Sequence, residues 1–230
     1  KFKQGDNDFA ALMYSSPCNP TWQMLSDDFL KGLSVIAKKY CVVIIEDKAY
    51  FNYDSRHPEF LDSKDSRKCP SILTYSGNAI LLLSASKMFS YAGERQGFAV
   101  IGTELAEKKS SELLRKFESE QFLRTFIRKG IYTGVAGVGH SGQHGFTAML
   151  NAASSGEMSI LKHLAPYTES AIAMKSLFVD NGFEILYATD QDGPIADGMY
   201  FTVANQNYSS GNKLLKDMMR QGLTAVPLGL

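Results

Sequence analysis

The sequence has no apolar run long enough to cross a bilayer. Runs such as Cys41–Ile45 and Ala79–Leu83 fall far short of the ~20 residues that a membrane helix needs. Neither charge is in excess, because 24 Lys and Arg balance 24 Asp and Glu. The total therefore gives no reason to expect nucleic acid or an anionic membrane as a partner. Cysteine is scarce: Cys18, Cys41 and Cys69 are an odd set without CxxC spacing. That argues against a disulfide framework or a cysteine zinc site and points to a reduced, cytoplasmic setting. His57, His140, His144 and His163 lack metal-ligand spacing with any acidic or Cys partner and read as structural or solvent-facing. The N-terminus, KFKQGDNDFA, carries neither an initiator Met nor a signal-peptide pattern. The C-terminus stops at AVPLGL, so both ends read as cuts through a longer protein.

What is present is ordinary globular material: 44% hydrophobic and 21% charged residues over 230 positions, enough for one domain and part of another. Ser26 to Tyr40 opens with Ser-Asp-Asp and places Phe29, Leu30, Leu33, Ile36 and Ala37 at helical spacing. This predicts a capped amphipathic helix. Cys41–Ile45 follows as a continuous β-branched run, typical of a strand covered on both faces, and ends where Glu46 and Asp47 bring polar residues back. A second such strand, Ala79–Leu83, leads into Ser84-Ala-Ser-Lys, and a third spans Gly97–Gly102 before a helix from about Glu104. Helix and buried strand in alternation predict an α/β fold: a mostly parallel sheet with helices on both faces.

Asp54 to Lys68 reads as a solvated excursion between the first two strands, and Lys108 to Lys129 as a long charged helix. Gly130 to Gly145 holds six glycines, including Gly134, Gly137, Gly139 and Gly142. No buried strand leads into it and no GKS or GKT follows, so a flexible connection near a site or interface is expected rather than a phosphate loop. Thr147–Ala153 and Leu161–Phe178 read as helices, Phe183–Tyr187 and Met199–Ala204 as strands, Asn212–Gly222 as a helix and Leu223–Pro227 as a short strand. Met218-Met219 reads as packing. This pattern predicts a large domain over residues 1–164 and the start of a smaller α+β domain over 165–230.

Open α/β sheets bind ligands beyond the carboxyl ends of their parallel strands. Asp47 follows one such end and Lys87 another, so an acid and a lysine are expected to face one crevice. Asn19, Tyr50, Ser84, Ser86 and Arg95 lie nearby in the sequence. Singly each has a bland explanation: Asn19 as a turn residue, Tyr50 as a core aromatic, the serines as strand ends.

Together the residues form a recognisable set. Asn19-Pro20-Thr21, Asp47-Lys48-Ala49-Tyr50, Ser84-Ala85-Ser86-Lys87 and Gly93-Glu94-Arg95-Gln96-Gly97 resemble the fold-type I pyridoxal-phosphate aminotransferases of class I/II. The order agrees, as do the 28 residues from Asn19 to Asp47 and the eight from Lys87 to Arg95. The resemblance is sharp from about residue 10 to 105 and continues beyond as element order. It implies that Lys87 holds pyridoxal 5'-phosphate as a Schiff base and later shuttles a proton at the substrate α-carbon. It implies that Asp47 pairs with the protonated pyridine nitrogen, keeping the ring an electron acceptor. Asn19 and Tyr50 would hydrogen-bond the phenolate oxygen, while Arg95, Ser84 and Ser86 would hold the phosphate. Trp22 stands where that family often has glycine.

The expected activity is transfer of an amino group from an amino acid to a 2-oxo acid, in a homodimer with Tyr132–Gln143 as candidate interface. The cofactor motifs leave open a β-lyase or decarboxylase reaction, an aminotransferase-like domain that senses the cofactor without turnover, or a fragment that binds none. The family's phosphate loop, ring-stacking aromatic and substrate-carboxylate arginine have no match here. Arg220 comes too early to be the last of these.

Overall fold

A computed structural model describes residues 9–50, 53–58 and 70–228. Its main sheet has four strands in sequence order: β1 (Ala11–Ser15), β2 (Val43–Lys48), β3 (Ala79–Ser84) and β4 (Gly97–Ile101). The first three are parallel and β4 is antiparallel to β3. This follows from the connections. Helix α1 (Asp27–Lys39) carries the chain back between β1 and β2, as parallel neighbours require. Only a four-residue helix, α2 (Ala85–Met88), and a short loop separate β3 from β4, so the chain reverses. At that reversal Gly97 lies opposite Ser84, and a Cβ on it would sit 2.7 Å from the Leu83 carbonyl oxygen.

Helix α1 begins where the sequence predicts. Ser26 caps it by accepting a hydrogen bond from the Phe29 amide, Asp27 and Asp28 occupy the first turn, and Lys38 and Lys39 the last, each favourable to the helix dipole. Its apolar stripe supplies Leu30 and Ala37 to a core shared with Val42, Ile44, Ile72 and Ala79. Strand β1 is an element the sequence reading does not foresee; exposed and half-buried residues alternate along it.

Strand β2 runs three residues further than its apolar run. Its side chains alternate, so Ile44, Glu46 and Lys48 are buried on one face while Ile45 and Asp47 lie on the other. Glu46 is fully buried. Its Oε2 accepts hydrogen bonds from the Ser71 hydroxyl and the Ile72 amide, and its Oε1 lies 3.8 Å from Lys48 Nζ, which donates to the Pro70 carbonyl. The polar residues thus do not end the strand; they continue it into a buried ion pair.

The segment after β4 is more broken than its charge pattern suggests. In place of one helix over 108–129 there are α3 (Thr103–Glu107), α4 (Ser111–Phe117), α5 (Phe122–Thr125) and a π-helical stretch, Phe126–Ile131, running into α6 (Tyr132–Val135). Glu118, in the left-handed conformation, ends α4. The glycine-rich segment is not one flexible connection either. Its second half begins α7 (His140–Ser155), whose buried Gly142 packs against Gln96. Helix α8 (Ile160–Asp180) then leads to β5 (Glu184–Leu186), the small hairpin β6–β7 (Thr189–Asp190, Gly193–Pro194), β8 (Thr202–Ala204) and α9 (Gly211–Arg220). Strands β5 and β8 pair antiparallel. Residues 223–227 form no strand and are exposed. Met218 is buried and Met219 is not.

Asp54 corrects the expectation of a solvated excursion. It is buried and holds Arg56 through both carboxylate oxygens, while Arg56 also bridges to Asp190 of the β6–β7 hairpin at 2.9 and 3.0 Å. Residues 59–68 of that excursion lie outside the described residues, as does Cys69. No described helix is long and apolar enough to cross a membrane.

Candidate active site

The strand register fixes where the predicted site residues lie. Ser15 pairs with Asp47 across β1–β2, Lys48 with Leu83 across β2–β3, and Ser84 with Gly97 across β3–β4. The carboxyl ends of three parallel strands and the start of the fourth therefore meet at one edge. Asn19 follows β1 by four residues, Asp47 is the penultimate residue of β2, Ser84 ends β3, and Arg95 precedes β4 by two. Sequence separations of up to 76 residues collapse onto this edge, which is the ligand-binding edge of an open parallel sheet.

Three of the predicted residues are in direct proximity. The Tyr50 ring is buried, and its hydroxyl lies beside Asn19, Asp47 and Tyr200. Burial foremost, then Tyr200, holds the Tyr50 proton far above the ordinary tyrosine range; the Asp47 charge adds to this and Asn19 opposes it. Tyr50 is thus a hydrogen-bond donor throughout the physiological range. Asp47 is half-buried, and its Oδ1 accepts from the Ala49 amide at 2.9 Å. No cation pairs with Asp47 among the described residues, so its other oxygen is free to take a partner.

Ser84, Ser86 and Lys87 form the turn from β3 into α2. The Ser84 hydroxyl oxygen caps the turn, accepting from the Ser86 amide at 3.2 Å. Lys87 is half-buried, and no carboxylate neutralises it among the described residues. Arg95 is exposed and in the left-handed conformation, with Nη1 donating to the Ala92 carbonyl at 2.8 Å. The structure therefore brings Asn19, Asp47 and Tyr50 together, and sets Ser84, Ser86, Lys87 and Arg95 at the same edge without a hydrogen bond or ion pair joining Lys87 or Arg95 to Asp47.

Two residues outside the predicted set shape this edge. Trp22 has φ 61°, a conformation that suits glycine and costs a bulky residue roughly 1–2 kcal/mol. Its indole is fully buried, however, with ring centroids 5.0 Å from Tyr50, 5.9 Å from Tyr53 and 6.0 Å from Tyr200. Tyr200, the second, meets Tyr50 edge-on at 5.5 Å. It lies 150 residues from Tyr50 within a run that reads only as a strand, and the sequence carries no local signal of this contact. The four histidines are exposed, and His163 Nε2 lies 3.1 Å from the Ser90 hydroxyl. Arg220 is exposed and pairs with Asp217.

Over 227 residues the chain is 24% identical to histidinol-phosphate aminotransferase 2 of Bacillus anthracis, covering 90% of this chain and 54% of that protein. It is 28% identical over 96 residues to the probable aspartate aminotransferase of Methanocaldococcus jannaschii, covering 41% of this chain and 22% of that one. Among solved structures, the aromatic aminotransferase from Pyrococcus horikoshii superimposes with a TM-score of 0.67 at 16% identity, over 96% of this chain and 51% of that one. This chain thus spans about half the length, or less, of the proteins it matches. The family model for aminotransferase class I and II matches residues 2–185. The chain belongs to the aminotransferase class I and II family.

Proposed function

We propose that the chain is the cofactor-binding part of a pyridoxal-phosphate-dependent aminotransferase, which moves an amino group from an amino acid to a 2-oxo acid. One observation carries this reading: a lysine and an aspartate, neither ion-paired among the described residues, share the carboxyl edge of three parallel strands with Tyr50 and Asn19. A lone charge beside continuous apolar strands is costly without a partner, and pyridoxal phosphate supplies partners of both kinds. The residues fit that group. The open Asp47 oxygen would hold the protonated ring nitrogen, Tyr50 and Asn19 would donate to the ring oxygen, and Lys87 Nζ would hold the aldehyde carbon. The Ser84 and Ser86 hydroxyls and the Arg95 guanidinium would hold the phosphate. Bound there, the cofactor supplies an electron sink for a carbanion at the substrate α-carbon.

The chain's own residues then have separate tasks. Freed when the incoming substrate amine takes its place on the cofactor, Lys87 Nζ would, as a neutral amine, take up the α-proton and hold it for return. Asp47 keeps its charge beside the ring nitrogen. Tyr50 holds its proton at the hydroxyl, as burial favours, and so donates rather than accepts at the ring oxygen. Arg95, whose Nη1 donates to the Ala92 carbonyl, would hold the phosphate, each charge-assisted bond contributing roughly 1.5–3 kcal/mol.

Three broader readings accompany this one. The large domain would end near residue 164: Leu164 of α8 packs in the Trp22 cluster, while Phe178 of the same helix packs on Phe183 and Phe201 around the second sheet. A homodimer is supported by exposed Ile127, Ile131, Tyr132, Val135 and Val138, which adjoin and enter the Tyr132–Gln143 segment. A reducing, cytoplasmic compartment fits free Cys18 and Cys41.

The test uses the full chain incubated with pyridoxal phosphate. A visible absorption band should develop, and borohydride reduction followed by peptide mass spectrometry should find the label on Lys87. An amino acid should then convert the cofactor to its amine form, and a 2-oxo acid should restore it. A label elsewhere, or none, overturns the assignment of Lys87; release of ammonia instead of the amine form overturns transamination.

A further inference from the structure

The β6–β7 hairpin reaches back to the candidate site through one carboxylate. The Asp190 side chain is 2% exposed, and its two oxygens serve two chain segments. Oδ1 accepts from Arg56 Nη1 at 2.9 Å; Oδ2 accepts from Arg56 Nη2 at 3.0 Å and from the Met24 amide at 3.3 Å. Beside it, Gln23 Nε2 donates to the Thr189 carbonyl at 2.9 Å, and the Ser26 amide donates to Gln191 Oε1 at 2.8 Å. Residues 23–26 are the stem of the turn that carries Asn19. That turn is closed by the Trp22 amide on the Cys18 carbonyl at 2.7 Å and the Cys18 amide on the Gln23 carbonyl at 2.9 Å. The hairpin therefore grips the base of the Asn19 turn.

Arg56 grips the other side. Its Nε and Nη2 each donate to the buried Asp54 carboxylate at 2.9 Å, and Nη1 also donates to the Pro194 carbonyl at 3.0 Å. Asp54 follows Tyr53, whose amide donates to the Tyr50 carbonyl at 3.1 Å and whose ring lies 5.9 Å from Trp22. One guanidinium thus links the segment that delivers Tyr50 to the hairpin, and the hairpin links it to the turn that delivers Asn19. A planar guanidinium that pairs in fork geometry with two carboxylates fixes the direction of both, which a point charge cannot do. We propose that Arg56 and Asp190 are positioning residues for Asn19 and Tyr50: they lock the two segments together so that both donors converge on one oxygen of the cofactor ring. Neither belongs to the motifs, and both act at a remove, through Met24 and Asp54. This inference rests on the proposed cofactor reading.

The test is a pH titration of the visible band of the full chain loaded with pyridoxal phosphate. Hydrogen bonds to the ring oxygen stabilise its charge and so loosen the proton on the cofactor–lysine linkage; misaimed donors should raise the midpoint. Arg56→Lys keeps a cation between the carboxylates but cannot fork to both, and Asp190→Asn keeps an acceptor for Met24 while losing the charge. Each is expected to raise the midpoint by about 0.5–1 unit, roughly three- to ten-fold in proton affinity, the size of one weakened hydrogen bond. In a background of Asn19→Ala with Tyr50→Phe, adding either change should move the midpoint no further. Unmoved midpoints with only thermal stability reduced are the mark of a purely structural clasp, and they overturn the inference. So does a shift that persists in the Asn19→Ala, Tyr50→Phe background. Should Asp190→Asn fail to fold, Arg56→Lys decides alone. Trp22, the sole tryptophan, lies in the same turn and reports on it without cofactor. Its quenching by acrylamide should rise in both variants, and unchanged quenching also overturns the inference. A wild-type chain that develops no visible band fails the cofactor reading, and the roles of Arg56 and Asp190 with it; a wild-type band with unmoved variant midpoints fails the clasp alone.

Discussion

Gly198 and Trp22 are in a contact that leaves no room for a side chain at position 198: a Cβ there would lie 1.9 Å from Cε2 and 2.1 Å from Cζ2 of the indole. Trp22 cannot withdraw, because it is fully buried among Tyr50, Tyr53 and Tyr200. Gly198→Ala should therefore overpack the cluster and cost about 1–3 kcal/mol. At roughly 2–4 °C per kcal/mol for a chain of this size, thermal unfolding should fall by several degrees. The converse change separates two effects at one residue. Trp22→Gly relieves the left-handed backbone, worth roughly 1–2 kcal/mol, but removes an indole whose truncation costs about 3–5 kcal/mol. Packing wins, so Trp22→Gly should also destabilise, and a stabilised variant would show that the indole contributes less than its burial implies.

That contact marks the limit of what was legible in the sequence. The motif residues could be read because each sits at a strand end that apolar periodicity locates: Asp47 after Val43–Ile45, Lys87 after Ala79–Leu83. Strand β1 was not read although Phe9–Tyr14 is a continuous apolar run, because no turn or capping signal marks it off and its exposure alternates as at a sheet edge. The charge-rich 108–129 stretch misled because helical composition says nothing of the left-handed turn at Glu118. Asp54 misled for a related reason: a carboxylate in a polar run reads as solvated unless its partner is known, and half of the Arg56 clasp comes from Asp190, 134 residues beyond Arg56. Tyr200 and Gly198 were invisible because their partners, Tyr50 and Trp22, lie about 150 residues or more upstream.

The buried Glu46–Lys48 pair should show strong coupling. Lys48→Met leaves the fully buried Glu46 carboxylate with neutral donors, the Ser71 hydroxyl and Ile72 amide, and no cation among the described residues. Removing one member of such a pair costs about 3–5 kcal/mol, because the other charge is left uncompensated. Glu46→Gln with Lys48→Met should cost less than the sum of the two single changes. Denaturant unfolding of the four species measures this, and additive costs would mean that the 3.8 Å pair carries no net interaction.

Alkaline stability follows from three tyrosines. Burial is the main cause that raises Tyr14, Tyr50 and Tyr53 above the ordinary value of 10.0, with the Glu46 charge adding to it at Tyr14. Above that value the unfolded chain has released these protons while the folded chain still holds them, so the unfolded state binds fewer protons and stability falls as pH rises. The contribution is fully present below pH about 10 and declines beyond it, at about 1.4 kcal/mol per unit for each tyrosine still protonated in the fold. Denaturant midpoints should be level to about pH 9 and drop steeply by about pH 11, together with the rise of tyrosinate absorbance. Tyr14→Phe should make the drop shallower; an unchanged slope would remove Tyr14 from this account.

Asp47→Asn tests the site without testing the fold. Among the described residues the Asp47 Oδ1 accepts the Ala49 amide, and an asparagine carbonyl oxygen can take the same bond in the same place. No cation pairs with the carboxylate among the described residues, so its charge contributes no ion pair to stability. Stability of the cofactor-free chain should therefore stay within about 0.5 kcal/mol of wild type, as for a change away from structural networks. The site should respond differently. A neutral amide cannot hold the ring nitrogen protonated, and loss of one such electrostatic contact typically slows the chemical step about 10²–10³-fold. Single-turnover rates with an amino acid donor should show that loss, while labelling of Lys87 by reduced cofactor persists. Equal rates in the two proteins would mean that Asp47 does not act on the ring nitrogen, and a matching fall in the stability of the cofactor-free chain would mean that the carboxylate serves the fold instead.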